Sequence, residues 1–168
     1  MLELDAEAIY QQLAQRAREH YLHKPLHLVG VHTGGVWLAE RLKRELNVDA
    51  PVGILDVSFY RDDFDQSGLK TAVRPSRIAF DVAGSHILLV DDVLNTGRTV
   101  RAAINELFDH GRPAKVDLAV LIDRGGRELP VAASLIGATI ELPSTVSVVL
   151  TRDDDDRLHL TMETLGDD

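Results

Sequence analysis

Ile87-Leu88-Leu89-Val90 is the stretch that most constrains what this chain can become. Four apolar residues are too few for a helix, and a run without polar alternation reads as a strand buried on both faces. Such strands lie inside helix-covered parallel sheets, and ligands of α/β proteins bind just beyond their carboxyl ends. Here the chain beyond is Asp91-Asp92-Val93-Leu94-Asn95-Thr96-Gly97-Arg98-Thr99. A helix is expected next, with Val100, Ala103, Ile104, Leu107 and Phe108 on one face. A helix start leaves N–H groups unpaired and carries roughly half a positive charge. Thr96, Gly97, Arg98 and Thr99 therefore read as a cup of amides and hydroxyls for a phosphate monoester. Asp91 and Asp92 are placed to hold a diol, directly or through hydrated Mg²⁺. Their alternative is a pair of solvated carboxylates at a strand end. A phosphate site and a diol site one strand-turn apart suit a ribose 5-phosphate.

The rest of the chain supplies a frame for that stretch. Asp5 is a good N-cap for a helix over about residues 6–22, with Ile9, Leu13, Ala17 and Tyr21 as its apolar stripe, and Lys24-Pro25 stops it. His20, His23 and His27 fall on both sides of that break and read as ordinary surface histidines. Leu26 to Val31 reads as a strand, His32-Thr33-Gly34-Gly35 as a turn, and Val36 to Leu46 as a helix facing inward through Val36, Ala39, Leu42 and Leu46. Gly34-Gly35 permits either a tight β–α turn or close approach of backbone N–H groups to an anion. Val52 to Ser58 is a further strand. Residues 59–84 form a long irregular segment carrying Arg61, Lys70 and Arg74, which reads as a lid or as a hydrated hairpin. Gly111 is expected as a left-handed helix cap before Pro113. Val116 to Ile122 is a buried strand running into Asp123-Arg124-Gly125-Gly126-Arg127, where Arg124 and Arg127 read equally as site residues and as surface charges. Ser134 to Ile140, Val146 to Leu150 and Leu158 to Met162 complete the strands, with Asp153 to Asp156 as a solvated hairpin tip.

Composition narrows the function classes. The chain has 168 residues, enough for one domain with a substantial core. It has no cysteine, which removes disulfides and thiolate metal sites. No apolar run approaches the roughly 20 residues of a membrane span, and the acidic start lacks an apolar signal segment, so the cytoplasm is the expected compartment. A net charge of −9 argues against broad, non-specific nucleic-acid binding but leaves room for a local basic patch.

The stretch from Ile87 to Thr99 closely resembles the phosphoribosyl-pyrophosphate (PRPP) signature of type I phosphoribosyltransferases. With Asp56-Val57-Ser58-Phe59-Tyr60-Arg61-Asp62-Asp63, Gly111-Arg112-Pro113 and Asp123-Arg124-Gly125-Gly126-Arg127-Glu128-Leu129-Pro130, the chain resembles the bifunctional pyrimidine-operon regulators and uracil phosphoribosyltransferases over roughly residues 26–140. The resemblance implies an α/β fold. It would be a parallel sheet flanked by helices, with a flexible catalytic hairpin at 59–84 and a small antiparallel extension at 141–168, in a single domain over 1–168. It implies Asp91, Asp92, Asn95, Thr96, Gly97, Arg98 and Thr99 as PRPP residues, with Asp91 and Asp92 touching Mg²⁺ indirectly. His32, Thr33, Gly34 and Gly35 would form the pyrophosphate loop, Arg61 and Lys70 would assist catalysis, and Asp123, Arg124 and Gly125 would read the base.

Uracil and PRPP would give UMP and pyrophosphate. The same pocket would sense UMP or UTP in the regulation of pyrimidine genes, through leader RNA among other routes, and the chain would form a homodimer or a higher homo-oligomer. A purine phosphoribosyltransferase and a nucleotide-sensing regulator with little catalysis are the alternatives. Three positions depart from the pattern: Gly34 where many relatives carry Arg, Asn95 where regulators often carry Tyr, and Gly126 where relatives often carry His. In similar enzymes for hypoxanthine and guanine, the place of Asn95 is an Asp facing the purine imidazole nitrogen. An amide cannot exchange a proton there, so Asn95 suits a pyrimidine.

Overall fold

A computed structural model of the protein describes residues 3–58 and 76–166. Its centre is a five-stranded, wholly parallel sheet of β1 (His27–Val31), β2 (Gly53–Leu55), β3 (His86–Leu94), β4 (Lys115–Asp123) and β5 (Leu135–Thr139), in the order β2-β1-β3-β4-β5. β3 is therefore the middle strand. Ile87, Leu88, Leu89 and Val90 are each fully buried, as a strand covered on both faces requires. Alternation divides them: Leu88 and Val90 face one core layer, Ile87 and Leu89 the other.

Helices α1 (Ala6–Tyr21) and α2 (Gly34–Glu45) cover the first face, and α3 (Arg98–Asp109) covers the second together with Ile78, Phe80 and Val82. Asp5 caps α1 by accepting from Ala8 N at 3.0 Å. The buried face of α1 is wider than the single stripe expected, because Ala6, Tyr10 and Ala14 join Leu13, Ala17 and Tyr21 while Ile9 is only partly covered. In α2, Leu38 takes the inward place expected for Val36. In α3, Phe108 stands 53% exposed, one step past the edge of the face made by Val100, Ala103 and Leu107.

Three further local readings change. Where a left-handed cap is expected at Gly111, α3 closes at Asp109 with His110 right-handed and its N–H on Leu107 O. Gly111 instead has φ +150° and lies close against Val82 and Ala83. β2 is shorter than the Val52 to Ser58 expected. Beside it, Arg77 from the segment read as irregular exchanges both backbone hydrogen bonds with Ile54, so residues 76–84 lie against the sheet. Arg61, Lys70 and Arg74 lie outside the described residues.

β6 (Val146–Arg152) and β7 (Leu158–Thr164) form a separate antiparallel hairpin, the small extension expected at the C-terminal side. It is fastened to the helices: Glu7 takes both Arg41 Nη atoms at 2.9 and 3.1 Å and Leu158 N at 2.7 Å. The Arg152 guanidinium lies 4.9 Å above the Trp37 ring. The acidic tip is partly structural, since Asp153 accepts from Asp155 N and Arg157 N and the Asp156 carbonyl accepts from Arg41. Among the described residues no helix is long and apolar enough to cross a membrane.

Candidate functional site

The carboxyl ends of β1, β3 and β4 lie side by side, and each runs into a polar turn. β3 continues past its apolar run. Asp91 pairs in register with Val120, Val93 with Ile122 and Leu94 with Asp123, so the two acids sit within the strand rather than after it. Asp91 is buried at 4% exposure, and its Oδ1 accepts from Asp92 N at 2.8 Å. Asp92 Oδ1 accepts from Val93 N, also at 2.8 Å. Each carboxylate is thus steered by the amide of the next residue, which removes the freedom expected of solvated surface acids.

The β1–α2 turn packs against these acids. His32 N donates to Leu55 O at 2.7 Å, the His32–Thr33 peptide is cis, and α2 starts at Gly34. A Cβ on Gly35 would stand 2.3 Å from Val90 O, and one on Gly34 would stand 2.6 Å from Asp92 Oδ2. Two glycines are therefore what lets this turn lie on the end of β3. Any side chain at position 34 has to displace the Asp92 carboxylate first.

Beyond β3, Gly97 at φ +94° reverses the chain and α3 begins at Arg98, with a glycine in the cap position. Thr96 Oγ1 accepts from Arg98 N at 3.2 Å. The start of α3 aims its amides and dipole at the same edge that holds Asp91 and Asp92. The start of α3 and the two acids thus lie at one edge of the sheet.

The turn after β4 closes the third side. Asp123 Oδ1 accepts from Gly125 N at 3.0 Å, and Gly125 and Gly126 have φ of +72° and +76°. Burial pushes the Asp123 carboxyl up, but the Arg127 guanidinium and the Gly125 amide outweigh it and hold it below its usual value. The Asn95 side chain reaches across to this turn: a Cβ on Gly126 would come within 2.7 Å of its Oδ1. Asn95 and Gly126, two of the departures from the family pattern, are thus spatial neighbours. The Arg124 side chain is buried and turned away, donating to the carbonyls of Pro143 and Val146. Arg127, read equally as a site residue and as a surface charge, is turned inward and bonds Asp123, the Asn95 carbonyl and the Val131 carbonyl. The i,i+4 spacing of Asp123 and Arg127 is the one legible hint of that arrangement.

Among the described residues no three His, Cys, Asp or Glu side chains converge into a metal site made by the protein alone. Asp91 and Asp92, neighbouring carboxylates beside a helix start, would instead suit Mg²⁺ that arrives with a phosphorylated substrate and keeps part of its water shell.

Comparison with known proteins agrees with this fold. Residues 3–155 match the phosphoribosyl transferase domain family. The chain is 50% identical over 157 residues to the bifunctional protein PyrR of Nitrosococcus oceani, covering 90% of this chain and 88% of that one. It is 52% identical over 134 residues to the bifunctional protein PyrR of Pseudomonas aeruginosa, covering 78% and 79%. Among solved structures, the hypoxanthine phosphoribosyl transferase of Trypanosoma cruzi superposes with a TM-score of 0.66 at 27% identity, over 86% of this chain and 80% of the other. A hypoxanthine-guanine phosphoribosyltransferase of Bacillus anthracis gives 0.66 at 18% identity, over 87% and 86%, a likeness of fold alone.

Proposed function

Because the chain belongs to the bifunctional PyrR proteins within the phosphoribosyl transferase domain family, we propose that it transfers the phosphoribosyl group of PRPP to uracil and senses the resulting nucleotide as a regulator of pyrimidine genes. The observation that carries this reading is the shared sheet edge: buried Asp91 and steered Asp92 on the middle strand, one turn from the start of α3. In this reading the 5-phosphate lies on Thr96, Gly97, Arg98 and Thr99, and the ribose hydroxyls on Asp91 and Asp92. The turn His32, Thr33, Gly34 and Gly35 faces the pyrophosphate. Asp123, Arg124 and Gly125 face the base through their main chain, since the Arg124 guanidinium is committed to the Pro143 and Val146 carbonyls.

The reaction breaks the bond between ribose C1 and the pyrophosphate oxygen and forms one from C1 to a ring nitrogen of uracil, whose proton leaves to solvent. Mg²⁺ bound with PRPP supplies charge neutralisation on the departing pyrophosphate. The protein's part is positioning and electrostatics. The acids orient the ribose and favour positive charge developing at C1, while the α3 start holds the far end of the sugar. Arg61 and Lys70 are proposed to meet the pyrophosphate from the segment outside the described residues.

Uracil is favoured over a 6-oxopurine by Asn95, whose amide cannot act as an acid or base toward an imidazole nitrogen, and by the PyrR relatives at about 50% identity. Pyrophosphate release from PRPP tests this: it should require uracil, ignore hypoxanthine and guanine, and be lost in Asp92→Asn. Release driven by hypoxanthine would move the protein to purine salvage. The regulatory half predicts that UMP tightens binding of pyrimidine-gene leader RNA at physiological salt. An unchanged affinity removes it.

A further inference from the structure

Two loops meet at the carboxyl edge of the sheet: the phosphate loop at residues 95–97 and the base-side loop at residues 124–131. Arg127 stands between them with each of its three guanidinium nitrogens engaged. Nη1 donates to the Asn95 carbonyl at 2.8 Å, Nη2 to Asp123 Oδ2 at 2.6 Å, and Nε to the Val131 carbonyl at 2.8 Å. Beside it the Thr96 carbonyl accepts from Glu128 N at 2.9 Å and Leu129 N at 3.0 Å. Space is tight there as well, for a Cβ on Gly97 would meet Val131 at 3.2 Å and Leu129 at 3.4 Å. The peptide planes of Asn95 and Thr96 set where the first amides of α3 point. Both planes are held from the base-side loop.

We infer that Arg127 is a positioning residue that ties the phosphate loop to the base-side loop, so that occupying one site shapes the other. This rests on the phosphoribosyl transfer proposed above and adds to it a coupling between base and sugar phosphate. A guanidinium is needed because three acceptors in different directions, one of them charged, require its rigid fork. A Lys ammonium at the same place cannot reach all three. The nearby Arg98–Glu128 ion pair, 3.0 Å long, joins the base-side loop to the first residue of α3 but is more than half exposed and holds less firmly.

The test is calorimetric titration of Mg²⁺-PRPP into the full chain, with and without UMP-free uracil present, alongside steady-state KM and kcat and a thermal melt. Wild type should bind PRPP and show a different uracil affinity when PRPP or pyrophosphate is bound. Arg127→Gln should weaken PRPP binding about tenfold or more, raise KM for PRPP more than it lowers kcat, and bring the uracil affinities with and without PRPP together. Arg127→Lys, which keeps the charge and guards against loss of folding, should recover only part of the affinity. Millimolar guanidinium should partly restore PRPP binding to Arg127→Ala. If the Arg127 variants melt lower yet bind PRPP with unchanged affinity and intact coupling, the residue is a structural brace and the inference fails. If wild type itself binds no PRPP, the phosphoribosyl reading fails instead.

Discussion

The two ends of the parallel sheet carry the same residue types and use them in opposite ways. At the amino end, Asp117 Oδ2 takes Tyr21 Oη at 2.7 Å, His86 Nε2 at 2.8 Å and lies 3.6 Å from Lys115 Nζ. Its partners are other side chains, and they close it. Burial pushes the Asp117 carboxyl up, but Tyr21, His86 and Lys115 together hold it below its ordinary 3.8. At the carboxyl end, Asp91 and Asp92 are steered by the amides that follow them, with glycine-built turns around them. A carboxylate saturated by side chains stabilises a fold. One oriented by the main-chain amides that follow it, beside glycine-built turns, is placed to meet a ligand.

Substitutions at the two ends should therefore separate activity from stability. The largest effect expected is Asp92→Asn, with uracil-dependent pyrophosphate release down about a hundredfold or more and a melting temperature near wild type. A similar loss of both would erase the contrast. Gly35→Ala comes next: its Cβ meets the Val90 carbonyl at 2.3 Å, so the turn has to move off β3. PRPP affinity should fall about tenfold in titration, with some loss of stability.

Asp117→Asn should do the reverse of Asp92→Asn. Loss of charge-assisted hydrogen bonds costs about 1.5–3 kcal/mol, seen as a melt lower by several degrees with kinetics unchanged in the folded fraction. That difference should depend on pH. The native Asp117 pKa is depressed, so its stabilisation is complete above 3.8 and is lost as pH falls through the lower native value. Melting temperatures of wild type and Asp117→Asn should therefore converge on acidification below about pH 4. Glu7, lowered chiefly by its Arg41 hydrogen bond, acts with the same sign in both proteins and drops out of the difference. Smallest of all is Lys115→Ala, an exposed partner at 3.6 Å, expected within about 0.5 kcal/mol by denaturant titration.

The carboxyl end was far more legible in the sequence than the amino end. An unbroken apolar run followed by paired acids, and glycines after β1 and β4, are local signals that survive without coordinates. The amino-end cluster joins residues 31 and 96 positions apart, which no local pattern reveals. For the same reason Arg127 could not be told from a surface charge. Its partner Asn95 lies 32 residues away, and the bond goes to a carbonyl, which leaves no mark in the residue type. Strand lengths depart from the apolar pattern where tertiary pairing decides them. β3 runs on through Asp91 and Asp92 because β4 offers partners up to Asp123, and β2 stops at Leu55. Phe108 shows the limit of helical periodicity at the margin of a face.

The placement of the sugar phosphate is the claim on which the other assignments depend, and a crystal structure of the protein grown with Mg²⁺ and PRPP tests it most directly. The account predicts the 5-phosphate against Thr96 to Thr99 and the ribose hydroxyls within hydrogen-bond reach of Asp91 and Asp92. Density for the ligand at any other place, with that edge of the sheet holding only solvent, contradicts it.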